Sequence, residues 1–559
     1  MPATAAQCYR RVIVVCGSRP YRERRRSSHS NDTIARRQRR SAEIERPDRS
    51  SGAERARGSR FRAGVSGREE RAETPSLRIE QHPILEFKRG KEIEFELDGR
   101  KLKGHEGETI AAAIHASGVR VLRRSIRLGR PRGFFCAIGR CSSCLMTVNG
   151  VPNVMTCVTQ LEPGMRVETQ TGKGSLTDAS TGAASPDRRG EERDLGHVPL
   201  AVVGAGPAGL SAAIAAGRLG IRSAVLDENE VPGGQLIKQT HMFFGSREHY
   251  ARVRGVDIGG KLVDELRSLP CELVQSTTVL GLYPDRVLSL LRDGRHHRMR
   301  ADAVVLATGA SENMLAFPGC DLPGVYGAGA VQTLMNVHGV VPGERVLMVG
   351  AGNIGLIVAY QLLQAGVEVA AVIEGLPTIG GYHVHGAKIR RASVPIMTSH
   401  TIQRASGDDR VEAAVVARVD KDWRPIPGTE TEFDVDTICL AVGLSPNCEL
   451  AFMAGCEESY IADLGGRVAI HGPTLESSVP GVFIAGDASG IEEASTAMLE
   501  GRLAGIAAAE HVGGEIDVEM LGEMRKEAET GLAALRAGPF GERPRAGKDK
   551  MFKLAARSA

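Results

Sequence analysis

Residues 198–228 read VPLAVVGAGPAGLSAAIAAGRLGIRSAVLDE, and the rest of the chain is placed relative to them. The apolar run Leu200 to Val203 is expected to form a buried parallel strand, followed by a turn carrying Gly204, Gly206 and Gly209. Leu210, Ala213, Ile214 and Leu219 then give one face of a helix, and a second strand ends at Asp227. The three glycines serve different ends. Gly204 permits the tight turn, Gly206 lets a pyrophosphate approach the backbone, and Gly209 lets helix and strand pack closely. The helix start presents unpaired N–H groups to the phosphates. Asp227 stands where an acid binds a ribose hydroxyl pair. Because strand, turn, helix and acid are all in place, a nucleotide site outweighs a Gly-rich turn of structural use only.

A second unit of the same kind, ERVLMVGAGNIGLIVAYQLLQAGVEVAAVIE, spans residues 344–374. Its turn holds Gly350, Gly352 and Gly355, and its second strand ends at Glu374. Three further pieces assign FAD to the first unit. Gly233, Gly234 and Gln235 follow Asp227, where a glycine pair admits a bulky group. Ala307, Thr308 and Gly309 end a strand at the sheet's carboxyl edge, where ligands bind. Gly486 and Asp487 end another, with a carboxylate for ribityl hydroxyls. A helix starting near Glu493 and running through Ala497 and Gly501 is expected to aim its positive end at the flavin pyrimidine ring. For the second unit, Glu374 favours the free 2′-hydroxyl of NAD over the 2′-phosphate of NADP. Arg390 and Arg391 downstream keep NADP open, as does a fold that binds nothing.

Four of the eleven cysteines cluster: Cys136, Cys141, Cys144 and Cys157, spaced C-x4-C-x2-C-x12-C. The first two spacings, which join the first three cysteines, are those of plant-type [2Fe–2S] sites. Gly133 and Gly139 are expected to take left-handed turns that bring N–H groups to the sulfurs, with the fourth thiolate coming from a distant strand. Structural zinc prefers paired C-x2-C, and only one such pair is present. Arg120, Arg123, Arg124, Arg127, Arg130 and Arg132 precede the cluster. Two readings remain open for them: a docking face for an acidic partner, or a solvated edge balancing the cluster's charge.

The bulk numbers exclude several classes. No apolar run is long enough to span a membrane. Scattered cysteines are not a secreted disulfide framework, which points to a reducing, cytoplasmic compartment. Residues 1–75 carry 19 Arg and no Lys against nine acids, so the formal +4 of the whole chain hides an acidic remainder. Residues 1–78 are expected to be a disordered Arg-rich tail. Nucleic-acid or acidic-surface binding through the runs Arg22 to Arg26 and Arg36 to Arg40 lacks interleaved aromatics, and nine acids argue against a transit peptide. The chain is parsed as 79–170, an iron–sulfur unit; 171–197, a linker; 198–319, the FAD unit's first part; 320–435, the NAD(P) unit; 436–515, the FAD unit's second part; and 516–559, a charged helical tail without chemistry. His383 and His385 in GGYHVHG are read as ordinary rather than metal-binding. Lys238, Gln239 and His241 either lie near the isoalloxazine or only pack.

The order of these motifs resembles the two-dinucleotide-binding-domain flavoproteins of the thioredoxin-reductase and pyridine nucleotide–disulfide oxidoreductase superfamily. RPRGFFCAIGRCSSCLMTVNG, residues 130–150, is similar to the ferredoxin-like domain that opens sarcosine oxidase alpha subunits and occurs in hydrogen cyanide synthase and opine or proline dehydrogenase complexes. The resemblance implies an α/β architecture: two Rossmann-like domains, the NAD domain inserted in the FAD domain, with a β-grasp ferredoxin-like α+β domain before them. It implies an oxidoreductase passing electrons between NAD(P)(H), flavin and cluster, partnered by a second flavin-containing, amine or amino-acid oxidase-like subunit. Two departures stand out. No cysteine pair occupies a disulfide-reductase position in the flavin body, and the folate-binding half of a sarcosine oxidase alpha subunit has no counterpart. Two competing readings are a stand-alone NAD(P)H:ferredoxin or quinone reductase, and a non-catalytic electron-transfer or assembly subunit.

Overall fold

The computed structural model describes residues 76–174, 193–243 and 249–558. The chain divides into two units, Met1–Thr74 and Pro75–Ala559, and every described residue belongs to the second. Residues 1–75 of the expected Arg-rich tail and 175–192 of the expected linker therefore lie outside the described residues, whereas Arg78, inside the expected tail, is ordered and pairs with Glu108 at 2.8 Å.

The first layer is a five-stranded mixed sheet. Its strands are β1 (Glu92–Leu97), β2 (Arg100–His105), β3 (Leu145–Val148), β4 (Val151–Met155) and β5 (Arg166–Glu168), in the order β2-β1-β5-β3-β4. Alternation writes β1: Ile93, Phe95 and Leu97 are buried while their neighbours face out. Asp98 and Gly99 turn the β1–β2 hairpin with φ of 48° and 79°, the paired left-handed residues of a type I′ turn. The Asp98 carboxylate also accepts from the Thr169 N–H at 2.8 Å and hydroxyl at 2.7 Å, tying the turn to the end of β5. Helix α1 (Ile110–Ala116) is buried along its whole length and capped by Thr109, whose hydroxyl accepts from Ala112 N–H at 3.3 Å. A helix against a mixed sheet with β1 and β5 parallel is the β-grasp arrangement.

Two parallel sheets follow. The first orders β8 (Cys271–Val274), β7 (Ser223–Leu226), β6 (Arg193–Val203), β11 (Arg295–Leu306) and β17 (Val482–Ile484), with β9 (Thr277–Leu282) and β10 (Val287–Arg292) as an antiparallel extension of β11. The second orders β12 (Val325–Gly327), β16 (Thr437–Leu440), β13 (Arg345–Val349), β14 (Glu368–Glu374) and β15 (Ile396–Thr398). The return to the first sheet thus comes one strand later than residue 436, because Thr437–Leu440 pairs with both β12 and β13. Helices α2 (Pro207–Arg218), α3 (Asn353–Gln364), α4 (His383–Arg391) and α5 (Ala494–Val512) complete the two nucleotide folds.

Residues 516–559 are helical, as expected, but do not trail away. They form α6 (Val518–Arg536) and α7 (Glu542–Ser558). Leu521, Ala528 and Leu532 enter the apolar core shared by α2 and α5. Lys548 of α7 is 1 % exposed. Among the described residues no helix is long and apolar enough to cross a membrane.

Four of the six arginines before the cysteines reach the chain's own second nucleotide fold, which neither open reading anticipates. Arg132 and Arg130 reach Asp321 at 2.9 and 3.3 Å, and Arg124 reaches Asp409 at 2.9 Å. Arg123 is buried and donates to the Ser142 carbonyl at 3.0 Å. Arg120, 10 % exposed, is bonded to His115, Tyr326 and the Pro342 carbonyl and lies 3.7 Å from Asp436. Beneath these pairs a single apolar core runs from Ile93, Phe95 and Met146 to Tyr326, Leu334, Val346 and Met348. The exposed pairs contribute little each; the shared core and Arg120 hold the domains together. Arg120→Ala is expected to cost about 2–3 kcal/mol, since it strips partners from buried polar groups while Asp436 keeps some solvent. Urea unfolding should register it as a lower midpoint with an unchanged slope.

Candidate functional site

The first turn is built as its spacing predicts. Gly204 holds φ 104°, and a Cβ there would collide with the Ala307 carbonyl oxygen. A Cβ on Gly209 would collide with the Gly204 carbonyl oxygen. Gly206 caps α2 without any side-chain hydrogen bond, leaving the first-turn N–H groups to a ligand. Asp227 accepts the Ala205 N–H at 2.5 Å through one oxygen and the Asn229 N–H at 2.8 Å through the other. Gly233 and Gly234, at φ 119° and 54°, fold back onto the turn, and a Cβ on Gly234 would stand 2.7 Å from Gly206 Cα. Gln235 follows in a short 3-10 helix. Ala307, Thr308 and Gly309 line the far side, where Thr308 donates its hydroxyl to the Asn447 carbonyl at 2.6 Å. Gly486, at φ 69°, packs 2.7 Å (as a Cβ) from Ala208 of α2. Helix α5 begins at Ala494 with Glu493 at its cap. It lies so close to α2 that a Cβ on Gly501 or Gly505 would collide with the Ala208 or Ala212 carbonyl. This glycine-lined cradle fits a dinucleotide.

The second turn repeats the construction. Gly350 holds φ 105° against the Ala441 carbonyl, Gly352 caps α3 with no side-chain bond, and Gly355 abuts the Gly350 carbonyl. Glu374 accepts the Ala351 N–H at 2.9 Å and the Leu376 N–H at 3.0 Å, the same two bonds that Asp227 makes. Gly380 donates to the Ala351 carbonyl at 3.1 Å as Gly233 does to Ala205 at 2.8 Å. Arg390 and Arg391 are exposed at the end of α4. Tyr382 and Asn353 both reach the Glu493 carboxylate, at 2.7 and 3.3 Å, joining the second turn to the start of α5.

The four clustered cysteines come together. Cys136, Cys144 and Cys157 are buried and Cys141 is partly so. Side-chain hydrogen bonds join Cys136 to Cys141 and Cys157, and Cys144 to Cys157; they pull the Cys136 thiol down and push the Cys157 thiol up. Among the described residues no three His, Cys, Asp or Glu side chains are grouped to hold a metal ion; the four thiols form one chain of contacts, Cys141–Cys136–Cys157–Cys144, and four thiolates are the donor set of a two-iron cluster. The Cys141 N–H points at Cys136 Sγ at 3.3 Å. Gly139 takes the expected left-handed turn at φ 70°, but its companion is Ala137 at φ 51°. Gly133 is needed for space instead: a Cβ there would stand 2.6 Å from the Arg120 carbonyl oxygen. Cys157 lies just past the end of β4.

Between cradle and cysteines stands Lys238, which is buried. Burial pulls its ammonium down to about 8, offset in part by Glu312 and Cys136. Glu312 follows the Ala307-Thr308-Gly309 strand end and accepts the Gly329 N–H at 2.6 Å; burial pushes it up. Gly327, against which Glu312 leans, donates to the Phe135 carbonyl at 3.1 Å, next to Cys136. Burial, with His385 and Lys388 nearby, holds His241 down at about 4; its ring stacks on Phe243 at 5.7 Å and meets His385 edge-on at 6.0 Å. His383 is exposed while His385 is buried. Glu312, Glu500 and Lys548 escaped the reading of the sequence. Glu312 has a weak signal, an acid three residues past a strand-ending glycine; Lys548 has none.

Residues 198–501 match the family model described as pyridine nucleotide-disulphide oxidoreductase, and residues 90–172 that of a 2Fe-2S iron-sulfur cluster binding domain. The chain is similar to the sarcosine oxidase alpha subunit of Rhizobium meliloti (strain 1021), 29 % identical over 470 residues, covering 73 % of this chain and 45 % of that one. It is similar to an opine oxidase subunit from the same organism, 31 % identical over 357 residues, covering 60 % and 75 %. It thus spans about half the length of the sarcosine oxidase subunits it matches. Among solved structures, L-proline dehydrogenase from P. horikoshii superposes with a TM-score of 0.62 at 23 % identity, covering 80 % of this chain and 79 % of that one, a likeness of fold.

Proposed function

This chain belongs to the pyridine nucleotide-disulphide oxidoreductase family and carries a 2Fe-2S domain ahead of that body, and on that footing we propose that it passes electrons between NAD(H), FAD and a [2Fe–2S] cluster within a multi-subunit dehydrogenase. It is an oxidoreductase with an FAD-type domain. In the proposal FAD is held by Gly204, Gly206, Gly209, Asp227, Gly233, Gly234, Gln235, Ala307, Thr308, Gly309, Gly486 and Asp487. NAD is held by Gly350, Gly352, Gly355 and Glu374, and the cluster by Cys136, Cys141, Cys144 and Cys157. When bound, flavin supplies two-electron and one-electron chemistry, nicotinamide supplies hydride, and the cluster carries single electrons.

The protein's part is placement and charge. Asp227 and Glu374, already fixed by backbone N–H groups, keep an ordered edge for a ribose. The starts of α2 and α3 offer N–H groups to two pyrophosphates. The start of α5 favours negative charge on a ring set against it. One observation carries the reading: Gly327, against which Glu312 leans from just past the Ala307-Thr308-Gly309 strand end, donates to the Phe135 carbonyl at 3.1 Å, one residue before Cys136. The strand end that lines the cradle is thereby tied to the thiol loop. Since the relatives named above are subunits of oxidases, the proposed partner is a second flavin-containing subunit that oxidises an amine or amino acid.

Anaerobic addition of NADH to the purified chain tests this. Bleaching of the flavin band followed by a rhombic paramagnetic signal is the expected result; a bound flavin that does not bleach overturns the nicotinamide arm. Glu374→Ala removes a charged acceptor from the second turn alone. It should raise the KM for NADH about 10- to 100-fold, the worth of a charge-assisted hydrogen bond, with flavin content unchanged; steady-state kinetics and the flavin-to-protein absorbance ratio check both halves.

A further inference from the structure

The turn Gly486-Asp487-Ala488-Ser489 is closed by charges drawn from three helices. One oxygen of Glu500, on α5, accepts the Gly486 N–H at 3.1 Å and the Ser489 hydroxyl at 2.5 Å. The other meets Arg536 of α6 at 2.6 Å and Lys548 of α7 at 2.8 Å. Lys548 also donates to the Ser489 carbonyl at 3.0 Å and hydroxyl at 2.7 Å. Arg536 reaches Glu492 at 2.5 Å. The Glu500 and Lys548 side chains are 3 % and 2 % exposed. Two carboxylates and two cations balance, and they lie beside a fifth charge, Asp487, whose carboxylate accepts the Glu492 N–H at 3.3 Å. Buried ion networks are costly to desolvate and are weak devices for stability alone. Both cations come from beyond residue 501, where the family match ends.

We propose that helices α6 and α7 complete the flavin site: Arg536 and Lys548 neutralise Glu492 and Glu500 so that Asp487 remains an ionised acceptor for flavin hydroxyl groups. The inference rests on the flavin reading above. Lys548 and Arg536 are positioning residues, acting through Glu500. The groups facing Asp487 are Glu492 before α5, Glu500 on α5 and Lys548 on α7, with Arg536 and His471 behind them. Burial pushes Asp487 up to about 7; the Glu492 N–H and Lys548 oppose this, while Glu500 and Glu492 add to it. The sign follows. An ionised acceptor binds donors better, so flavin affinity is full above that pH and falls as the pH drops through it, approaching tenfold per pH unit.

Flavin affinity of the stripped full-length chain, followed by fluorescence quenching across the neutral range, is the test. The wild type should show this fall. Lys548→Met, which removes a cation, should move the midpoint to higher pH; Glu500→Gln, which removes an anion, should move it lower; Lys548→Arg should restore the wild-type profile. A purely structural role for the helices would weaken binding without moving the midpoint. A wild type that binds flavin with flat affinity, or folded Lys548→Met and Glu500→Gln variants with unmoved midpoints, overturns the inference. If either variant fails to fold, the wild-type profile and the other variant still decide. A wild type that binds no flavin at any pH overturns instead the reading beneath it.

Discussion

Gly209→Ala is expected to yield a chain without flavin and with its stability lowered by about 3 kcal/mol, the upper range for overpacking a tight interior. The added carbon would collide with the Gly204 carbonyl oxygen and crowd the Ala307 side chain. No side-chain rotation relieves a clash between a Cβ and backbone. Helix α2 must therefore withdraw from β6, and the Gly204 turn goes with it. Withdrawal also breaks the contacts of α2 with α5, which rely on Gly501 and Gly505 approaching Ala208 and Ala212. Absorbance of the purified variant should lack the flavin bands while the cluster's absorbance persists, because Cys144 and Cys157 belong to a separate apolar core. Gly220→Ala, where nothing lies within contact but φ is 81°, should cost only about 1 kcal/mol and keep the flavin. Equal flavin loss in both variants would mean that the close approach at Gly209 is not what builds the cradle.

Cys136→Ala should abolish the cluster and leave the flavin. Replacing groups that only support a metal ligand already costs 10- to 100-fold, so loss of a thiolate is expected to lower one-electron acceptor reduction by about a hundredfold or more. Flavin bleaching by NADH should proceed as in the wild type. Cys320→Ala, outside the thiol set, is the control and should change neither. A rhombic signal that survives Cys136→Ala would remove that residue from the ligand set and with it the C-x4-C-x2-C assignment.

Short-range chemistry was legible in the residues, and long-range pairing was not. Gly204, Gly209 and Asp227 act within one strand–turn–helix unit, so their spacing alone fixes their relation. The same holds for Gly350, Gly355 and Glu374. The Arg120–Arg132 run could not be assigned, because its partners Asp321, Asp409 and Asp436 lie far along the chain. Gly133 was misread because a glycine needed for room and one needed for left-handed backbone look alike in a sequence. Lys548 was invisible for a related reason: a lysine in a charged helix is ordinarily solvated, and only the docking of α7 onto the Ser489 turn buries it.

The uninterrupted apolar seam between the β-grasp sheet and the second nucleotide sheet has a kinetic corollary. A tethered carrier that swings between donor and acceptor trades contact for mobility, and its turnover follows the viscosity of the medium. Here the lobe bearing Cys136 is welded in place. The cysteine lobe therefore keeps its place on the second nucleotide sheet from one turnover to the next, and an outside acceptor must travel to it rather than wait for it.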